Sequence, residues 1–455
     1  MKGLAHAVVA AICAGWWLAS AVAHAADMPR IPHEVFTLPS GLEVVLVSDR
    51  SVPLVAVDIW YHVGSSDEVP GKSGFAHLFE HMMFQGAKHI GEDAHFAVLK
   101  KAGASDINGT TSTDRTNYHE QVPSHQLDTA LWLESDRMGW LLDTLNQKSL
   151  DNQREVVRNE RRQRHDNVPY GGESFALAQL LYPEGHPRRF LTIGRHEDLQ
   201  AANLADVQAF FRQWYAPSNA TLCLAGDFEV GEAKAAVQKW FGTLPKVAAP
   251  QHKPLNTPQL LAPQQQTLVD PLARLERIHM AWHSPALYQA GDAELDLAAA
   301  ILGLNGSGRL NKRLVAHEHV AQSVHAYQVS LQDSSEFHLV IDLRPGVVRS
   351  DVMAEIDYEL QRLRKEPPSE QELKRAVLSA ESHMVWGLEE LTARCELLQA
   401  YRHYLGKTEA IAEDMLRYRN ATPQSVAAVV ARVLDPQRRV TVFTVPQQSA
   451  LGGVP

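Results

Sequence analysis

Two histidines, His77 and His81, stand four positions apart with Glu80 between them, inside Gly74-Phe75-Ala76-His77-Leu78-Phe79-Glu80-His81-Met82-Met83-Phe84. On a helix this spacing puts both imidazoles on one face, one turn apart, where they can share a zinc ion. Glu80 lies beside them, placed to take a proton from a water polarised there. Zinc with three protein ligands and one open position brings the pKa of a water to about 7 and polarises a carbonyl, which together can hydrolyse an amide bond. In a chain with 22 His the motif alone is only moderately specific. Its apolar flanks predict a buried helix, where two His and a Glu are costly without partners. Satisfied core histidines are the competing account. The third ligand must come from elsewhere, and Asn152-Gln153-Arg154-Glu155-Val156-Val157-Arg158-Asn159-Glu160 offers two acids. Spacing alone does not choose between Glu155 and Glu160, and both could be surface charges paired with neighbouring arginines.

The elements around this motif predict an α+β fold. Glu34 to Ser48 has the pattern of a hairpin turning at Ser40-Gly41, Leu54 to Trp60 alternates as a strand, and Gly74 to Phe84 has the pattern of a helix. A helix around Glu92 to Lys101, a strand from Ile107 to Val122, and amphipathic helices at Leu127 to Leu142 and Asn152 to Arg164 follow. The alternation is too irregular for a doubly wound parallel sheet, which leaves antiparallel sheets with helices packed on one face. Near the middle, residues 246–266 are rich in Pro, Gln and Ala without a clear period and form a linker between halves of similar size. Arg277 to Trp282 followed by Leu295 to Leu302 repeats the strand-then-helix order of the first half.

Composition narrows the class further. The chain has 455 residues, a length that suggests two to four domains, each able to bury a core. A formal net charge of -10 argues against nucleic acid as the main partner. Lys2, the apolar run Ala7 to Ala23 and then Ala23-His24-Ala25 match an export signal over 1–25; the run is somewhat short of the ~20 residues that span a bilayer, so cleavage is expected rather than anchoring. The mature protein is then expected to be exported, and periplasmic if the source is bacterial. Removing the signal leaves Cys223 and Cys395, which the surrounding apolar and helical patterns assign to inert core thiols rather than a bridge. His62, His89, His95, His119 and His125 lack ligand spacing and are expected at the surface or in strands.

The inverted motif His77-Leu78-Phe79-Glu80-His81, the Arg154 to Arg162 run, and Phe211-Arg212-Gln213-Trp214-Tyr215-Ala216-Pro217-Ser218-Asn219-Ala220 leading to Gly226-Asp227 together resemble the pitrilysin, insulysin and mitochondrial processing peptidase family. The resemblance covers almost the whole chain after the signal. It implies two homologous repeats, a zinc-binding domain over 33–245 and an inactive one over 267–447. It also implies one Zn2+ per chain, with Glu160 as third ligand beside His77 and His81, and Glu80 as the base.

Two departures from the family's pattern stand out. Gln153 occupies a position, seven before the zinc Glu, where many active members have a second acid. In the second repeat the family carries an Arg and a Tyr seven apart that bind the substrate backbone, and the alignment puts Val315 and Gln322 there; another register could recruit Arg313 or Tyr327. Losing positioned donors of that kind costs roughly 100- to 1,000-fold in rate each. A related zinc-less subunit carrying the Arg and Tyr, in a heterodimer, is therefore expected. Asn108-Gly109-Thr110-Thr111 resembles the family's edge strand, to which an extended peptide adds, so Asn108, Gly109 and Thr110 are expected to bind substrate and the substrates to be unfolded peptides. The leading reading is a zinc endopeptidase of oligopeptides. The alternative is a non-catalytic or weakly active peptide-binding subunit of the same fold.

Overall fold

The computed structural model describes residues 28–447, so the expected export signal at 1–25 lies outside the described residues. The first six strands are β1 (Glu34–Thr37), β2 (Glu43–Ser48), β3 (Leu54–Tyr61), β4 (Ser105–Thr111), β5 (Thr116–Pro123) and β6 (Ala220–Gly226). They form one sheet in the order β1-β2-β6-β3-β5-β4. Strands β3 and β6 are central and almost wholly buried, as their near-continuous apolar runs require of strands covered on both faces. Strand β4, with its polar sequence SDINGTT, is one of the two edges, β1 being the other. The single strand expected from Ile107 to Val122 is instead the β4–β5 hairpin. Ser112 Oγ accepts the backbone N–H groups of Asp114 and Arg115, at 3.2 and 3.1 Å, and so turns the chain.

The second sheet contains β7 (Gln264–Asp270), β8 (Arg277–Ser284), β9 (Ala321–Val329), β10 (Ser335–Leu343) and β11 (Val440–Pro446), ordered β7-β11-β8-β10-β9. Its order matches β2-β6-β3-β5-β4 strand for strand. Each sheet is antiparallel except for one parallel pair at the equivalent place, β2 with β6 and β7 with β11. A shared topology carrying the same exception supports internal duplication far more strongly than hydrophobic periodicity does. No helix or strand occurs between Leu244 and β7.

Helices α1 (Phe75–Met82), α2 (Ala94–Lys101), α3 (Leu127–Trp140) and α4 (Gln147–Arg161) belong to the first repeat. Helices α1 and α3 pack on the first sheet, and α4 lies against α1. Beyond them, α5 (Glu173–Leu181), α6 (Asp292–Gly303) and α7 (Leu391–Leu405) complete the elements used below. In the second repeat α6 lies beside edge strand β9 as α1 lies beside β4, and it carries no histidine.

The remaining sheet faces are covered by an exchange. Helix α7 of the second repeat packs on the first sheet, where Leu391, Cys395, Leu398 and Tyr401 meet Val45, Val47, Ala56, Cys223 and Ala225. Helix α5 of the first repeat packs on the second sheet, where Ala176, Leu177 and Leu181 meet Ala281, Val440 and Val442. Each repeat therefore buries part of the other's sheet, and neither has a complete core alone. No helix among the described residues is long and apolar enough to cross a membrane.

Candidate metal centre

Helix α1 starts at Gly74, whose φ of +86° suits a residue without a Cβ. A Cβ there would also stand 2.9 Å from Gly194 Cα and from the Ile193 carbonyl oxygen. The Glu68 carboxylate accepts the backbone N–H groups of Gly74 and Ala76, at 3.0 and 2.9 Å, satisfying donors that the first turn leaves free. One turn of helix then brings the His77 and His81 rings to 4.9 Å between centroids, edge to face.

Helix α4 supplies the opposite wall. It is capped by Asn146, whose side chain accepts the Ser149 N–H at 3.0 Å. Gln153 and Glu160 are two turns apart and therefore share a face, which is turned to α1. Glu160 Oε2 lies 3.2 Å from His81 Nε2 and 3.7 Å from His77 Nε2. One ligand atom from each of the three residues lies within 4.8 Å of the other two. The other acid, Glu155, is exposed and pairs with Arg158 at 2.5 Å. Gln153 Oε1 accepts from His81 Nδ1 at 3.2 Å, which directs Nε2 at Glu160.

The electrostatics suit a cation. Burial lowers the His77 pKa to about 4 and keeps the ring neutral, as a ligand must be. Burial opposes ionisation of Glu160, but its hydrogen bond to His81 and the charges of His77, His81 and Arg164 outweigh it and hold the carboxyl below its ordinary value. Two imidazole nitrogens and one carboxylate oxygen, converging from two helices, are the donor set of a three-ligand zinc site. The residues present therefore fit zinc.

Glu80 points toward the sheet edge. It is 8% exposed, and burial raises its pKa despite the hydrogen bond it accepts on Oε2 from Thr111 Oγ1, at 2.5 Å. Strand β4 can approach this closely because residue 109 is glycine. A Cβ there would stand 3.1 Å from Glu80 Cγ, 3.1 Å from Tyr118 and 3.2 Å from Phe84. Asn108, Gly109 and Thr110 thus lie on edge strand β4 beside Glu80. Thr111 is the residue that sequence reasoning passed over. It belongs to the Asn-Gly-Thr-Thr stretch, but only the folded hairpin shows that its hydroxyl reaches Glu80.

Two further groupings of acids and histidines compete poorly for a cation. In His95, Glu120 and Glu134 the position is taken by Arg137, whose guanidinium holds Glu134 through Nε at 2.9 Å and again through Nη2. His95 is only 2% exposed within helix α2, contrary to the surface or strand position expected for it; it packs edge-on against Phe84. In Asp58, His119 and Glu396 both Asp58 carboxylate oxygens already accept hydrogen bonds, from Asn117, Trp60 and Gln399.

In the second repeat Val315 is partly buried against the core and Gln322 is exposed on β9. Of the possible substitutes, Arg313 is tied to carboxylates, while Tyr327 is 40% exposed with only its ring in contact. Arg313 pairs with Glu318 at 3.2 Å, with Glu359 at 3.4 Å and with Glu355, and Tyr327 stacks on His338 at 5.0 Å.

Comparison with known proteins agrees with this arrangement. Residues 43–171 match the family model described as insulinase (peptidase family M16), and residues 201–379 match that of the peptidase M16 inactive domain. The chain is 30% identical over 363 residues to the zinc protease PqqE of Helicobacter pylori, covering 78% of this chain and 80% of that one. Among solved structures it resembles a protease from Helicobacter pylori, with a TM-score of 0.84 at 26% identity, covering 92% of this chain and all of that one. It also has the fold of part of the periplasmic protease PqqL from Escherichia coli, with a TM-score of 0.76 at 19% identity, covering 92% of this chain but 48% of that one.

Proposed function

Because this chain belongs to peptidase family M16 and is a zinc metallopeptidase, we propose that it is an exported endopeptidase of unfolded oligopeptides that works with a related partner subunit. The observation that carries this reading is the meeting of His77, His81 and Glu160 beside Glu80 at the β4 edge of the first sheet.

In this reading His77, His81 and Glu160 would hold one Zn2+ per chain. Zinc when bound supplies a Lewis acid that polarises the scissile carbonyl and acidifies a water. The chain's own residues do the rest. Gln153 fixes the His81 ring, and Thr111 fixes the Glu80 carboxylate through Oε2. Glu80 accepts the water's proton and returns it to the leaving amine. Strand β4 receives the substrate as an added strand along Asn108, Gly109 and Thr110, so recognition runs through backbone hydrogen bonds and selects extended peptides. With Gln153 neutral, proton transfer falls to Glu80 alone.

The partner is argued from what this chain does not offer. Val315 has no polar group and Gln322 only a neutral amide where the family has its Arg and Tyr, and Arg313 is tied to Glu318, Glu355 and Glu359. A zinc-less relative bringing an Arg and a Tyr would complete the site as a heterodimer. That the chain corresponds in fold to about half of PqqL supports two such units working together. The same lack of the Arg and Tyr at the aligned positions favours the second reading, a peptide-binding subunit with little hydrolysis. Export is supported by the Lys2 to Ala25 pattern and by the periplasmic description of PqqL.

Glu80→Gln tests the proposal. Zinc content measured by atomic absorption should be unchanged while cleavage of an unstructured peptide falls by at least 100-fold, and unchanged cleavage would refute it. The wild-type chain assayed alone should be slow and should gain activity with the zinc-less relative. Full activity alone would remove the case for a partner.

A further inference from the structure

Cys223 sits in the middle of β6 and Cys395 in the second turn of α7, so the two residues belong to different repeats. The exchange of helices brings them to one place. Cys223 is the register partner of Asp58 across β6 and β3. Gln399 of α7 donates to Asp58 Oδ2 at 2.6 Å and to the Asp58 carbonyl at 3.3 Å. Cys395 precedes Gln399 by one helical turn and therefore shares its face. Both thiols are fully buried in the same apolar cluster, close enough for each to act on the other's ionisation. They are the only cysteines among the described residues, and both are free.

We propose that Cys223 and Cys395 are a disulfide site, and that the bond between them welds the sheet of the first repeat to helix α7 of the second. This departs from the inert pair of core thiols that the sequence patterns suggest. The cross-link would close a long loop at the one interface that completes the first sheet's core, where chain-entropy arguments give a disulfide its largest effect.

The chemistry requires an oxidant, here a donor disulfide such as that of a thiol–disulfide oxidoreductase or oxidised glutathione. One cysteine thiolate attacks a donor sulfur, forming a mixed disulfide and releasing one donor thiolate. The other cysteine thiolate then attacks the mixed disulfide at the protein sulfur, forming the Cys223–Cys395 bond and releasing the second donor thiolate. Two electrons pass to the donor, and the two protons leave with its thiols. Burial raises the pKa of both thiols in the folded protein, with Asp58 and Glu396 adding to the effect, so few thiolates are available there. The mixed disulfide therefore forms while the chain is folding, the second exchange follows as α7 docks, and the closed core then shields the bond from reduction.

The test uses the full chain and no variant. Protein denatured and reduced is refolded in a mixture of reduced and oxidised glutathione, quenched in acid, alkylated under denaturing conditions and mapped by mass spectrometry. The expected result is a linked pair of peptides containing Cys223 and Cys395, with neither residue alkylated. The melting temperature should be about 5–10 °C above that of the chain refolded in reductant. Alkylation of both cysteines, or pairing of either with Cys13 or with glutathione, would overturn the site. Equal melting temperatures would overturn its role in joining the repeats. Neither readout involves peptide hydrolysis, so the result is independent of the zinc centre.

Discussion

His81 Nδ1 lies 3.2 Å from Gln153 Oε1, so the amide oxygen accepts the Nδ1 proton and turns Nε2 toward Glu160. The position that departs from the family's acidic pattern is thus joined to a ligand and performs an orienting role that needs an acceptor but no charge. Partners of this kind typically govern 10- to 100-fold in metal affinity. Gln153→Ala should weaken zinc binding by that factor in a competition titration against a chelator, while Gln153→Glu should retain it. Equal affinity in all three proteins would show that the contact does not orient His81.

Thr111 holds Glu80 by a single hydrogen bond. Hydrogen bonds to charged groups contribute about 1.5–3 kcal/mol, so Thr111→Val should lower kcat by about 10- to 100-fold with little change in KM and none in zinc content. Thr111→Ser restores the hydroxyl and should recover most of the rate. A Ser variant as slow as the Val variant would mean that residue 111 acts through shape alone.

A Cβ at Gly109 would crowd Glu80, Tyr118 and Phe84 at 3.1 to 3.2 Å, so these side chains or the strand must shift by a few tenths of an ångström. Gly109→Ala should push β4 from α1, costing about 1–3 kcal/mol of stability in denaturant titration. Peptide cleavage should fall further than that loss of stability explains, because the same shift misplaces Thr111. Wild-type kinetics in a stable Gly109→Ala protein would contradict this account of the edge strand.

Acid should loosen the contact between the repeats. His403 of α7 and His62 stack at 4.8 Å with their Nδ1 atoms 2.8 Å apart, beside Thr221, Trp60 and Tyr404. Burial, with the charges of His252 and Arg115, lowers the His403 pKa to about 4, and burial lowers His62 well below its ordinary value. Below pH 6.5 the unfolded chain therefore binds protons that the folded chain refuses, and stability falls as pH drops toward about 4. The loss from His403 is about 3 kcal/mol. Urea midpoints followed by circular dichroism from pH 7 to pH 4 should show it, and His403→Gln should flatten the slope. An equally steep slope in that variant would assign the acid sensitivity to other groups.

The sequence by itself determined whatever depends on local period. His77 and His81 fall on one face because a helix turns in 3.6 residues, and a helix start at Gly74 follows from the residue type. The α+β class and the change of pattern near residue 246 came from the same kind of signal, and the family resemblance added Glu160. Tertiary structure decided the rest, because those contacts join positions whose separation carries no period. It selected Glu160 over Glu155 by turning one face of α4 toward α1. It gave Gln153 to His81 and Thr111 to Glu80 by bringing a second helix and a hairpin edge against the motif. It also crossed α5 and α7 between the repeats, so that Cys223 meets Cys395 and His62 meets His403. Burying both faces of a central sheet demands partners from outside the local chain, and only the complete packing specifies which residues those are.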